Sequence, residues 1–188
     1  MYQAIVFLPL LGSAIAGLFG PLIGPRPSEL VTTVLLFASM VLSWIGFAQV
    51  GFGHQDAGVT LAPFIVSGDL HVEWALRIDT LTAVMLVVVT TISAFVHLYS
   101  IGYMADDPVQ HRPRFFSYLS LFTFAMLMLV TADNLVQLFF GWEGVGLMSY
   151  LLIGFWYHKP RPTRRRSRPS WSTGSATSAL RSGFSPCL

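Results

Sequence analysis

LVQLFFGWEGVGLMSY, residues 135–150, is an apolar and aromatic run with one fully charged residue, Glu143, near its middle. If the run crosses a membrane, that carboxylate sits at about the depth where an ionised side chain is most expensive. Composition shows that it does cross. Across 188 residues, 54% are apolar and only 11% are charged. Mean hydropathy is +0.64, and the charges are concentrated between long apolar runs. That is the composition of an integral membrane protein.

Five runs, about 4–24, 29–52, 80–104, 115–132 and 134–157, are long enough to cross roughly 30 Å of hydrocarbon at about 1.5 Å per helical residue. The first lacks the basic start of a signal peptide and continues into a second span, so it is read as a membrane helix. The expected fold class is therefore all-α, with about five transmembrane helices. Arg26, the pair Arg112 and Arg114, and Lys159 fall in loops on one side, and Arg77 falls alone on the other. Because cytoplasmic loops carry the positive excess, the N-terminus is predicted outside.

Between the second and third runs, residues 58–78 place β-branched and aromatic residues on both sides of Ser67-Gly68-Asp69. The pattern predicts a β-hairpin on the outer surface, with Pro63 at an edge or a bulge. An irregular loop is the alternative. Cys187 is the only cysteine, so a disulfide, a CxxC pair and thiolate-held iron–sulfur centres are excluded. The glycines around Glu143 are not in the GxGxxG order of a dinucleotide loop. Histidines 54, 71, 97, 111 and 158 show no paired ligand spacing, and no metal site is expected.

Polar groups inside spans each need a partner in the bundle or water. Thr90, Ser93, His97 and Ser100 form one stripe at helical spacing. His97 is the one member able to titrate near neutral pH. Two readings stand: hydrogen bonding that holds neighbouring helices together, or a proton relay. Gly12, Ala16 and Gly20 form a small-residue ridge for packing, and Pro9 is expected to bend the first helix. Glu143 shares its face with Val136, Phe139, Gly146, Leu147 and Tyr150, so its own helix offers no partner. Gly141, Gly144 and Gly146 are expected to leave room beside it for another helix or for water. A carboxylate able to exchange its proton, with its affinity set by a neighbouring cation, is what a proton relay requires.

Residues 77–104, RIDTLTAVMLVVVTTISAFVHLYSIGYM, and 114–160, ending in GWEGVGLMSYLLIGFWYHKP, resemble the N-terminal part of subunit L of bacterial respiratory complex I. That subunit corresponds to chain 5 of the mitochondrial enzyme and is related to Mrp-type sodium/proton antiporter subunits. The resemblance covers residues 1 to about 160. It implies that Glu143 is the family's essential fifth-helix glutamate, paired with a seventh-helix lysine in the proton channel. It also implies that Asp79, in RIDTL, is a second acidic position. The expected partners are other membrane-arm subunits and the lipid bilayer, with no nucleic acid. The expected place is the bacterial inner membrane. NADH, flavin and iron–sulfur centres are expected in other subunits, with no cofactor here and no redox chemistry in this chain. Whether the chain is enzymatically active is left open, and an Mrp-type fragment and a structural remnant remain alternatives.

By that likeness the chain reads as a truncated antiporter-like domain, 1–160, followed by a basic Arg/Ser/Pro tail, 161–188. The tail carries six of the eleven Lys and Arg residues and no acid. It is expected to be disordered, drawn to anionic lipid or produced by a frameshift. Loss of one nucleotide near codon 160 would turn TCN serine codons into codons with a central T, which encode only apolar residues. Allowed codons then give a continuation similar to the family's sixth helix. Lys159 is the sole lysine, so the seventh-helix partner is absent from this sequence, and independent pumping is not expected.

Overall fold

The structure, a computed structural model, describes residues 1–53, 57–67, 70–105 and 111–155. It contains helices α1 (Tyr2–Ile23), α2 (Pro25–Gly53), α3 (Thr80–Tyr103), α4 (Arg112–Val130) and α5 (Leu135–Ile153). Strands β1 (Ala57–Ser67) and β2 (Leu70–Ile78) lie between α2 and α3. Each helix holds an apolar span of 19 to 27 residues, enough to cross a bilayer. The all-helical multi-pass class follows directly.

One boundary differs in an instructive way. α2 begins at Pro25, four residues before the expected start. Pro25 and Pro27 fit there because first-turn N–H groups have no intrahelical acceptor to lose. The connection from α1 is reduced to Gly24, whose φ of 95° lies in the left-handed region that glycine enters without a Cβ clash. Arg26 is therefore in the first turn of a helix and not in a loop. It still lies at the same end of the bundle as Arg112, since both border one cavity.

α4 is the centre of the bundle, packing against α1, α2, α3 and α5, whereas α5 packs chiefly on α4. Accordingly 44% of the α4 span is buried and only 17% of the α5 span. The ridge on α1 packs as expected: Gly12 faces Thr32 and Leu35 of α2, and Gly20 faces Pro113 of α4. A Cβ on Gly20 would come within 2.7 Å of Pro113. α1 runs as one helix through Pro9. Proline has no N–H to serve the Ile5 carbonyl four residues back, and the Ser39 hydroxyl of α2 donates to that carbonyl at 2.6 Å instead.

The hairpin is present. β1 and β2 pair antiparallel, with register shifts between Thr60 and Ala62 and between Pro63 and Ile65. Pro63 thus sits at a bulge, where a missing donor interrupts least. The turn residues Gly68 and Asp69 lie outside the described residues, as do Lys159 and the whole tail, 161–188. The hairpin is joined to the bundle. Arg77 N–H donates to Thr131 O at 3.0 Å, and Leu76 and Ala132 form a β-bridge. Ile5, Val6, Val50, Leu76, Ile78, Leu86, Leu127 and Met128 form the core where strand β2 meets the helix ends.

Candidate functional site

α5 is capped by Asn134, whose side-chain oxygen accepts from Gln137 N at 2.9 Å. The Asn134 amide donates to Glu73 O at 2.8 Å, and Gln137 Oε1 accepts from Ala75 N at 3.2 Å. The Trp74 ring meets Phe140 edge-on at 5.0 Å. The hairpin therefore fixes the first turn of α5, and with it the rotation of the helix.

That rotation turns Gln137, Gly141 and Met148 inward, where they are buried. A Cβ at Gly141 would lie 2.8 Å from the Leu129 backbone, and one at Gly144 would lie 3.2 Å from Ala125 Cβ. These two glycines admit another helix, α4 itself, which is the first of the two expected uses of the room they leave. Gly146 alone of the three is open, with nothing within 4 Å of a built Cβ. Glu143 points the other way and is exposed on the bundle surface. The face it shares is exposed too: Val136 40%, Phe139 62%, Leu147 56% and Tyr150 73%. Among the described residues Glu143 makes no ion pair, the one such contact being Arg112 with Glu29. An apolar face carrying one unpaired carboxylate fits a surface that receives another helix bearing a cation.

His97 has the opposite surroundings. It is fully buried in α3. Nδ1 lies 2.9 Å from Ser93 O, and since a carbonyl only accepts, Nδ1 carries the proton. In the neutral ring Nε2 accepts from Ser120 Oγ of α4 at 3.0 Å. Ser93 also bonds Thr123 of α4, and Thr90 bonds Ser43 of α2 at 2.7 Å. Ser13 of α1 bonds Ser117 of α4 at 3.1 Å. The stripe on α3 is thus one part of a hydroxyl seam tying α1 and α3 to α4, and α2 to α3. Neither nitrogen of His97 is directed at Glu143, and the structure does not bring the two together.

Asp79 is the N-cap of α3, its carboxylate accepting from Thr82 N at 2.7 Å. That hydrogen bond holds its carboxyl below the ordinary carboxylate value, with a smaller contribution from nearby Arg77. The geometry assigns it a helix-capping role at the hairpin end of the bundle.

Two polar residues escape a reading by apolar runs. Glu29, 4% exposed, sits in the first turns of α2 with Oε1 3.7 Å from Arg112 Nη1. Gln137, 2% exposed, anchors the hairpin. The signal for Glu29 was present: in antiparallel packing, the start of the second run and the start of the fourth share one end, which puts an acid level with Arg112. Among the described residues no three His, Cys, Asp or Glu side chains gather as metal ligands.

A bundle of five apolar helices with a mid-span carboxylate on the outer face of α5, unpaired among the described residues, has the build of a multi-pass membrane domain. The comparisons carry that class to a family. Residues 64–116 match the model described as NADH-ubiquinone oxidoreductase (complex I), chain 5 N-terminus. Residues 132–165 match NADH:quinone oxidoreductase/Mrp antiporter, TM. The chain is 55% identical over 157 residues to NADH-ubiquinone oxidoreductase chain 5 of Arabidopsis thaliana, covering 84% of this chain and 23% of the relative. It is 54% identical over 165 residues to NADH-quinone oxidoreductase subunit L of Rhodobacter capsulatus, covering 85% and 23%. Chain 5 of Chondrus crispus is 51% identical over 157 residues. The chain belongs to the complex I chain 5/subunit L family as its N-terminal region, and it spans 23% of the length of these curated relatives.

Proposed function

We propose that this chain contributes part of a proton channel to the membrane arm of a proton-translocating NADH:quinone oxidoreductase, with Glu143 as the intramembrane proton carrier. The observation that carries the reading is the position of Glu143: mid-span, on the exposed face of the least buried helix, unpaired among the described residues. A carboxylate in a membrane is costly unless a cation or water meets it. A cationic side chain from another helix of the assembled complex, docked over Phe139, Leu147 and Tyr150, would meet that need and set the proton affinity of Glu143. His97 has its hydrogen bonds filled by Ser93 and Ser120 and serves as a packing residue. Asp79 serves as a cap.

The redox groups, NADH, flavin and iron–sulfur centres, belong to other subunits in this reading. In this reading the chain sits in a bacterial inner membrane as a multi-pass protein, its five apolar helices supporting the membrane placement. Arg26, Arg112 and Arg114 at one end of the bundle support an outside N-terminus. The domain reading is an antiporter-like region, 1–160, followed by a basic tail, 161–188, produced by a frameshift. Sequencing the coding DNA past codon 160 tests it, and an intact frame with no second membrane-like frame would refute it. A sodium/proton antiporter fragment is the second reading, favoured by the Mrp wording of the model matched at 132–165.

The experiment is Glu143→Gln in the assembled complex. Proton translocation is expected to be lost while the complex still assembles. Unchanged translocation would reject the role of Glu143. Sodium transport lost in its place would favour the antiporter reading.

A further inference from the structure

At the end of the bundle opposite the hairpin, a half-open cavity of about 520 Å³ lies between α2 and α3. Its walls are apolar, with Leu30, Val34 and Leu98 running along the two helices and exposed by 63%, 56% and 52%. Its mouth is charged, formed by Arg26, Glu29 and Arg112. A cavity with an apolar trough below and ionic groups at the helix ends has the shape and polarity of a phospholipid bound at headgroup depth.

The charges say more about the headgroup. Arg112 lies 3.7 Å from Glu29 Oε1 and its guanidinium also donates to the Ala105 carbonyl. At 3.7 Å the pair is an ionic contact without a hydrogen bond, and Oε1 is buried with no donor among the described residues. A buried carboxylate oxygen lacking a donor is costly, so the cavity calls for an N–H or O–H group aimed at Oε1. Arg26, exposed at the rim, offers a planar fork suited to phosphate.

We infer that this cavity binds phosphatidylethanolamine, with its phosphate at Arg26, its ammonium donating to Glu29 Oε1, and an acyl chain along Leu30, Val34 and Leu98. An ammonium brings three donors and a positive charge, which a choline headgroup cannot match because its nitrogen has no hydrogen. A glycerol headgroup brings donors without the charge. The inference rests on the membrane placement of the chain and not on proton translocation.

The test is native mass spectrometry of the full chain, delipidated in detergent, with phosphatidylethanolamine, phosphatidylcholine and phosphatidylglycerol of identical acyl chains. Phosphatidylethanolamine is expected to be retained about tenfold better than phosphatidylcholine, the value of one charge-assisted hydrogen bond. Glu29→Gln should remove that preference, and Arg26→Gln should weaken retention of all three lipids. Leu98→Trp, on an exposed position away from the ion pair, should block the trough with helicity by circular dichroism unchanged. If Glu29→Gln does not fold, Leu98→Trp carries the test. Equal retention of ethanolamine and choline lipids, strongest retention of phosphatidylglycerol, or unchanged binding in Leu98→Trp would each overturn the inference.

Discussion

The α3–α4 seam and the outer face of α5 both place polar groups inside membrane spans, and the two solve the problem differently. In the seam, Ser93, His97, Ser117, Ser120 and Thr123 face one another or a backbone carbonyl, and each finds a partner within the described helices. On α5, Glu143 stands among exposed aromatic and aliphatic side chains with no ion pair among the described residues. Hydroxyls and a neutral imidazole are satisfied by single hydrogen bonds, so they serve as glue between helices. A carboxylate needs a counter-charge or water, which the five helices do not offer on that face. The contrast separates polar residues that build the bundle from the mid-span carboxylate that the bundle presents outward.

The sharpest way to break this comparison is Glu143→Gln. It should abolish proton translocation in the assembled complex and leave the unfolding temperature of the five-helix region unchanged. Loss of folding with it would show that Glu143 belongs with the structural set. Next in size is Gly141→Ala. The added Cβ would meet the Leu129 backbone at 2.8 Å and force α5 off α4. Overpacking of this kind costs about 1–3 kcal/mol, measurable by thermal unfolding in detergent. The same change at Gly146, where nothing lies within 4 Å, should be near neutral in the isolated chain.

His97→Phe tests the seam. Removing the interhelical bond to Ser120 and the bond to Ser93 within α3 should together cost about 1 kcal/mol, the interhelical one averaging roughly 0.6 kcal/mol. Proton translocation should persist. Its loss at unchanged stability would move His97 to the functional side.

Asp79→Ala should cost a comparable amount, about 1 kcal/mol for a lost N-cap. Its pH dependence has a definite sign. The carboxyl is held below its ordinary value in the fold by the Thr82 amide, so its stabilisation is present above the ordinary value and fades as pH falls through the lowered one. Asp79→Asn keeps the cap and should remove that acid-side dependence, followed by chemical denaturation between about pH 2 and 6. The smallest effect expected is from Ser39→Ala, roughly 0.6 kcal/mol, which leaves the Ile5 carbonyl opposite Pro9 without its donor.

Much of the fold was legible because hydrophobic length and turn chemistry are local. The hairpin was readable from its β-branched residues, and Pro63 from its lack of a donor. The start of α2 was misplaced because Pro25 and Pro27 look like loop residues until their place in a first turn is known. Gly141 and Gly144 read as room for either a helix or water, because a glycine in sequence does not say which neighbour fills it. Glu29 was overlooked because, at the edge of an apolar run, an acid looks solvent-exposed until Arg112 arrives from a helix more than eighty residues away.

The sequence by itself determined that the chain crosses a membrane with five helices, that a hairpin separates the second from the third, and that Glu143 lacks a partner in its own helix. These follow from run length, alternation and helical period, which involve only neighbouring residues. The tertiary structure alone decided that α4 is central, that His97 is enclosed by hydroxyls, and that the Glu143 face is turned outward. Each of these depends on the rotation of one helix about its axis relative to another, and that rotation is set by close contacts such as Gly141 on Leu129 and Gln137 on Ala75.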